Sequence, residues 1–171
     1  MRPYEAISFT LLDIKEYPLV FETVIGISKM IFFRDDMFHL TRASRIGIVG
    51  AGPAGLCSGA KLKQAGFENV KIFEKSSELG GTWRYVPKPS PKEASSMYQN
   101  LRTNLPVQCM AFPDFPFQEL ETSFPGHEEV LKYLQNYSEH HQVTDMIEYN
   151  NDVKTILNKT KEKPLWEARN C

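Results

Sequence analysis

The rhythm of apolar and polar positions changes near residue 45. Residues 1–44 hold no sustained period; their most apolar stretch, "PLVFETVIGISKMIFF", is broken by Glu22 and Lys29 and followed at once by "RDD". That run falls short of the roughly 20 uninterrupted apolar residues a membrane span needs. Nor do a basic segment, a short apolar core and a small-residue cleavage site follow one another as in a secretory leader. From Arg45 the pattern sharpens. "RIGIVG" is a short run rich in β-branched residues, as in a parallel strand buried on both faces. "AGLCSGAKLKQAG" reads as a helix closed by Gly66, and "NVKIFE" as a second strand with Val70, Ile72 and Phe73 apolar. Further on, "GHEEVLKYLQNYSEHH" sets Val130, Tyr133, Leu134 and Tyr137 at i, i+3, i+4 and i+7, with Glu128 and Glu129 in the first turn, which predicts an amphipathic helix. "IEYNNDVKTILNK" and "PLWEARN" predict two strands of a meander joined by the turn "TKEKP". The fold class is therefore α/β. Strand, turn, helix and strand within about 30 residues make the first βαβ unit of a doubly wound parallel sheet. Residues 1–44 stand apart as an N-terminal extension of unknown role, and residues 45–171 form the domain.

The turn between first strand and helix reads "GAGPAG", Gly50–Gly55. Gly50 permits the tight exit from the strand, Gly52 lets a diphosphate approach the backbone, and Gly55 lets the helix pack closely on the sheet. The helix N-terminus offers unpaired N–H groups and a partial positive charge, and Pro53 falls in the first turn, where its missing N–H costs little. Glu74 ends the second strand 22 residues after Gly52, placed to accept hydrogen bonds from ribose hydroxyls. A carboxylate there repels a 2′-phosphate, so this site suits NAD or the adenosine half of FAD rather than NADP. An ordinary glycine turn is the competing reading; the flanking strand, helix and acid count against it.

Composition narrows the field a little. A chain of 171 residues, 42% apolar, suits one modest domain with a packed core. The net charge of −1 comes with no basic stripe, which argues against a nucleic-acid partner. Cys57, Cys109 and Cys171 form no C-x-x-C pair, so a disulfide framework or zinc site is not indicated and a reducing compartment is. His127, His140 and His141 lie at predicted helix ends without a carboxylate at ligand spacing. They are read as solvated, and no metal is assigned.

The stretch "EKSSELGGTWRY" decides which dinucleotide. Glu74, Gly80, Gly81 and Trp83 resemble the E-x5-G-G-x-W signature of two-dinucleotide flavoproteins. With "SSMYQNLRTNLP", "MAFPDFPF" and "SFPGHEEVLKYLQNY" in that order, the chain from about Arg45 onward resembles the flavin-containing monooxygenase family of N/S-oxygenating, dimethylaniline monooxygenase-like enzymes. The resemblance implies the N-terminal part of a Rossmann-like FAD-binding domain. It also implies FAD, NADPH and molecular oxygen as reaction partners and a soft amine or sulfide as substrate. Carried over by position, the backbone of Gly50, Ala51, Gly52, Pro53 and Ala54 would hold the FAD diphosphate, Gly55 would pack the helix, and Glu74 would hold the ribose. Gly81, Thr82 and Trp83 would lie beside the flavin, and Thr103, Asn104 and Leu105 between flavin and nicotinamide. Asn104 is the catalytic candidate, because its amide both donates and accepts hydrogen bonds while the cofactor carries the hard chemistry. Outside that context it reads as a loop-capping asparagine before Pro106. "FPDFPF" reads as a stiff loop that buries rings rather than as a ligand contact.

Two departures qualify the resemblance. Val107, Gln108 and Cys109 stand where the family continues with Lys-Glu, which removes a cation and an anion near the expected cofactor region. Gly126 is the one glycine beyond Gly81, so no second fingerprint follows and no NADPH domain is expected in this chain. The chain thus reads as an N-terminal fragment with an unpaired sheet edge and poor turnover of its own. A Baeyer–Villiger-type flavoprotein and a non-catalytic FAD-binding module are the other readings. The expected location is the cytoplasm, with association to the endoplasmic reticulum as the family's alternative.

Overall fold

The computed structural model describes residues 5–6, 41–88, 95–118, 120–158 and 166–170. Its main sheet holds four parallel strands in the order β1 (Glu5–Ala6), β2 (Arg45–Val49), β3 (Asn69–Phe73) and β4 (Ile147–Glu148). β2 and β3 pair along their whole length, from Arg45 opposite Asn69 to Val49 opposite Phe73. Ile46 and Ile72 are fully buried and Val70 nearly so, which is why these strands read as apolar runs rather than as alternation. Helix α1 (Pro53–Gln64) connects β2 to β3 and lies on both. It meets the sheet through Gly55, Leu56, Gly59 and Ala60. These residues are mostly small, so the helix lies close: a Cβ added at Gly59 would come within 2.9 Å of Ile72 Cδ1.

A second layer covers α1. After the short helix α2 (Val107–Met110), helix α3 (His127–His140) packs against α1 and buries Val130, Tyr133, Leu134 and Tyr137, the four positions that the periodicity selects. Glu129 Oε2 accepts from the Gly126 amide at 2.5 Å and so closes the start of the helix. The "FPDFPF" loop folds onto α3. Phe117 stacks on Tyr133 with centroids 3.8 Å apart, and Phe112 is buried against Tyr137 at 4.3 Å.

The Tyr133 hydroxyl holds that loop twice, accepting from Phe112 N at 2.7 Å and donating to Phe115 O at 2.7 Å. Burial pushes its pKa up to about 12, so it stays a donor across the physiological range. Replacing Tyr133 by Phe leaves the buried Phe112 N–H without an acceptor, a loss of about 1–3 kcal/mol. Urea unfolding of Tyr133→Phe is expected to show a lower midpoint at unchanged slope; an unshifted midpoint would contradict this role.

The same loop is tethered to α1 by an ion pair, Lys61 Nζ to Asp114 Oδ2 at 2.5 Å, each side chain about one-third exposed. Burial alone would raise the Asp114 pKa, but the hydrogen bond and charge of Lys61 outweigh it and hold it below 3.8. A depressed carboxylate contributes stability above its unfolded value, and that contribution fades as pH falls below 3.8 toward the folded value. Solvent screening limits the pair to under about 1 kcal/mol. The stability gap between wild type and Lys61→Met is therefore expected to be small at neutral pH and to close on acidification. A gap that widened in acid would contradict the sign.

Two expectations need correction. "IEYNNDVKTILNK" is not one meander strand. Ile147–Glu148 pairs in parallel with Ile72–Phe73, and a turn with Asn150 at φ +54° separates it from β5 (Val153–Asn158). β5 forms an antiparallel hairpin with β6 (Trp166–Asn170). The free backbone groups of β3 capture the first two residues, and the asparagine turn breaks the run. The sheet edge expected to be unpaired instead carries β1, with Glu5 opposite Ile46 and Ala6 opposite Gly47. The "TKEKP" turn, the apolar stretch 18–33 and Cys171 lie outside the described residues. Among the described residues, no helix is long and apolar enough to cross a membrane.

Candidate functional site

The chain leaves β2 through Gly50, whose φ of +96° favours glycine and whose absent Cβ would meet nothing within 4 Å. It faces a cleft of about 470 Å³. Gly55 faces the other way: a Cβ there would lie 1.8 Å from the Gly50 carbonyl oxygen. Gly52 lines the same cleft. Its Cβ would stand in ordinary contact with Gly81 Cα, 3.6 Å away, whereas a Cβ at Gly81 would come within 3.0 Å of Gly52 Cα. Gly81 thus lets the 80–81 turn lie against the fingerprint, a seating fixed by the bond from Gly80 N to Ala51 O at 2.9 Å.

The backbone amides divide into two groups. Gly50 N donates to Phe73 O at 2.8 Å and Ala51 N to Glu74 Oε2 at 2.7 Å, while Pro53 has no N–H. The expectation that Gly50–Ala54 as a whole offers amides to a diphosphate is therefore narrowed. Gly52, Ala54 and Gly55, at the head of the 12-residue α1, have no protein acceptor among the described residues. These three remain for an anion, backed by the helix dipole.

Glu74 lines the same cleft as Gly52, 5% exposed. Besides the bond from Ala51, its Oε1 faces Ser76 N at 2.9 Å and Ser76 Oγ at 2.5 Å. Ser76 Oγ is also 2.9 Å from Glu78 O, and its single proton serves one acceptor at a time. The backbone of Glu74 is gripped as well, donating to Glu148 O at 2.9 Å and accepting from Asn151 N at 2.8 Å. The carboxylate is fixed in direction, with lone pairs left over for hydroxyl donors.

The structure brings Gly50, Gly52, Glu74, Gly81 and Thr82 together around the cleft. It adds walls that sequence reasoning missed: Lys75, Ser76, Arg84, Ser95, Ser96 and the turn Asn151–Val153. The signal for that turn was present in "YNND", because asparagine tolerates the left-handed backbone seen at Asn150. Arg84 supplies a cation beside the cleft, braced by Glu78 at 3.2 Å and Ser77 Oγ at 3.2 Å. Ala51, Pro53, Ala54, Gly55, Trp83, Thr103, Asn104 and Leu105 do not line it. Trp83 packs against the core, Thr103 is buried with its amide on Pro125 O at 3.0 Å, and Asn104 and Leu105 are exposed.

The histidine reading is corrected in part. His140 is exposed, but His127 is only 4% exposed, with Nε2 3.1 Å from Gln99 O. Among the described residues, no three His, Cys, Asp or Glu side chains group as a metal site would require. Cys57 and Cys109 are free thiols, and burial pushes the Cys57 pKa up.

Free amides on a helix head, a fixed carboxylate in the cleft that Gly50 and Gly52 line, and open space at Gly50 fit a nucleotide diphosphate with its ribose. The comparisons agree. Residues 43–167 match the family model FMO-like, described as flavin-binding monooxygenase-like. A flavin-containing monooxygenase of Arabidopsis thaliana, FMO GS-OX-like 7, is 32% identical over 146 residues, 75% of this chain and 31% of its own length. A second from that plant, the putative FMO GS-OX-like 11, is 34% identical over 71% of this chain and 82% of its own length. The solved structure of S-allyl-L-cysteine S-oxygenase from Allium sativum superposes with a TM-score of 0.61 at 33% identity, over 72% of this chain and 34% of that one. Apart from GS-OX-like 11, the chain spans about a third of the length of these relatives.

Proposed function

Because the chain belongs to the flavin-binding monooxygenase-like family, we propose that its cleft holds the adenosine diphosphate half of FAD. We propose further that the protein serves NADPH- and O2-dependent oxygenation of a soft sulfur or nitrogen centre. The observation that carries this reading is the Glu74 carboxylate, clamped by Ala51 N and Ser76 in the cleft that Gly52 also lines, together with the amides of Gly52, Ala54 and Gly55 at the head of α1, which have no acceptor among the described residues. In this reading those amides receive the diphosphate and Glu74 accepts the ribose hydroxyls. Thr82, at the cleft, stands on the side toward the ring system, and Trp83 backs that turn from the core. FAD, when bound, supplies the oxygen-activating chemistry.

Asn104 is exposed and so open to a ligand. Its amide would orient the nicotinamide or substrate, with Thr103 and Leu105 shaping the backbone on either side. A thioether is the favoured substrate class, supported by the likeness to the garlic S-oxygenase; dimethylaniline-type amines are the second class to assay.

The test has two stages. Purified protein incubated with excess FAD and desalted is expected to retain the yellow absorbance of a stoichiometric flavin. Oxygen uptake with NADPH is then measured with a thioether and with a tertiary amine. Protein that emerges colourless sinks the cofactor reading. Because no NADPH domain is expected in this chain, the oxygenation reading is judged on a chain extended to the length of these relatives, and it fails if that flavin-loaded protein consumes no NADPH with either substrate.

A further inference from the structure

We infer that His127 is a positioning residue for the segment Gln99–Asn104, an inference whose functional part rests on the reading of Asn104 given above. His127 begins α3 and is nearly fully buried, yet its sequence context reads as a solvated helix end. Its Nε2 lies 3.1 Å from the Gln99 carbonyl oxygen. A carbonyl only accepts, so Nε2 carries the proton and Nδ1 is left with the lone pair in the neutral ring. Nδ1 is buried and meets no partner among the described residues.

The His127 backbone amide donates to Leu101 O at 3.3 Å, so one residue grips the segment at two points two residues apart. The ring leans on Tyr85, centroids 5.5 Å apart, which ties in the chain leaving the Gly81–Trp83 turn. Neighbouring bonds run the same way: Thr103 N to Pro125 O at 3.0 Å and Arg102 Nη1 to Phe124 O at 3.1 Å. Arg102 and Gly126 also form an isolated antiparallel bridge. All but one of these hydrogen bonds hold backbone to backbone or come from an exposed arginine. The Nε2–H bond of His127 is the buried side-chain bolt of this lacing, made to Gln99, four residues before Thr103 and five before Asn104.

The geometry of the bond supplies the test. A Gln side chain places an amide N–H near the Nε2 position, whereas the Asn amide reaches only to the Nδ1 position and Phe fills the space with no donor. In the full chain, His127→Gln is expected to leave amide exchange at Thr103 and His127 unchanged. His127→Asn and His127→Phe are expected to speed it about tenfold, as loss of one hydrogen bond implies, with the amides of Val130 and Tyr137 unaffected. In FAD titrations followed by the band shape and fluorescence of the flavin, Asn and Phe should weaken binding or alter the band while Gln does not. Equal exchange in wild type and His127→Asn overturns the inference. So does Phe performing as well as Gln, which would make the ring a mere core filler. Should Asn fail to fold by circular dichroism, the comparison of Gln with Phe decides. Wild-type protein that binds no FAD removes the flavin reading, and the exchange measurements then still decide the positioning role.

Discussion

Glu74→Gln is expected to weaken FAD binding at least tenfold and to lower stability, although it preserves shape. Every protein group that the carboxylate meets is a donor: Ala51 N on Oε2, Ser76 N and Ser76 Oγ on Oε1. Glutamine offers one oxygen and one NH2, so either Ala51 or Ser76 must then face a donor. Hydrogen bonds to a charged group contribute about 1.5–3 kcal/mol each, and one of them is lost outright. At about 1.4 kcal/mol per decade, loss of one such acceptor from the proposed ribose contact corresponds to the expected drop in affinity. Calorimetric FAD titration and urea unfolding measure the two effects separately. A glutamine variant that binds FAD as wild type does would show that the carboxylate faces no sugar.

The second large effect is expected at Gly55. A methyl group there would stand 1.8 Å from the Gly50 carbonyl oxygen, a backbone atom that cannot rotate aside. α1 must then lift from the sheet, opening the contact between Gly59 and Ile72 and shifting the amides of Ala54 and Gly55 at the helix head. Overpacking of this kind costs on the order of 3 kcal/mol. Gly55→Ala is thus expected both to unfold at lower urea and to lose flavin. Gly50→Ala makes the contrast: its methyl enters open space, and only the left-handed backbone resists, at about 1–2 kcal/mol. If Gly55→Ala proved no more damaging than Gly50→Ala, close helix packing would not be what fixes the turn.

The parts legible in the sequence are those written locally. The β2–α1–β3 unit announces itself because strand, glycine turn, helix and acid follow within one short stretch, and α3 because its apolar stripe needs no partner to be seen. The split of residues 147–158 between two sheets was not legible, since β4 exists only because β3 leaves a row of backbone groups to pair. The occupation of the Ala51 amide escaped for a similar reason: it depends on where a carboxylate 23 residues away turns. His127 misled because a histidine at a helix start looks solvated until the 99–103 segment covers it. At the site, the fingerprint and Glu74 were readable from spacing, and Thr82 from the family resemblance. The far wall at Ser95, Ser96 and Asn151–Val153 came from tertiary folding, foreshadowed only by paired asparagines.

Glu5 and Ala6 sit along the outer border of β2, the strand that carries the fingerprint at its end. Among the described residues, a foreign β-segment seeking lateral docking there meets an incumbent at two positions. Glu5 and Ala6 therefore blunt that stretch of border against molecule-to-molecule stacking, and a competitor offering more peptide groups would have to displace them first.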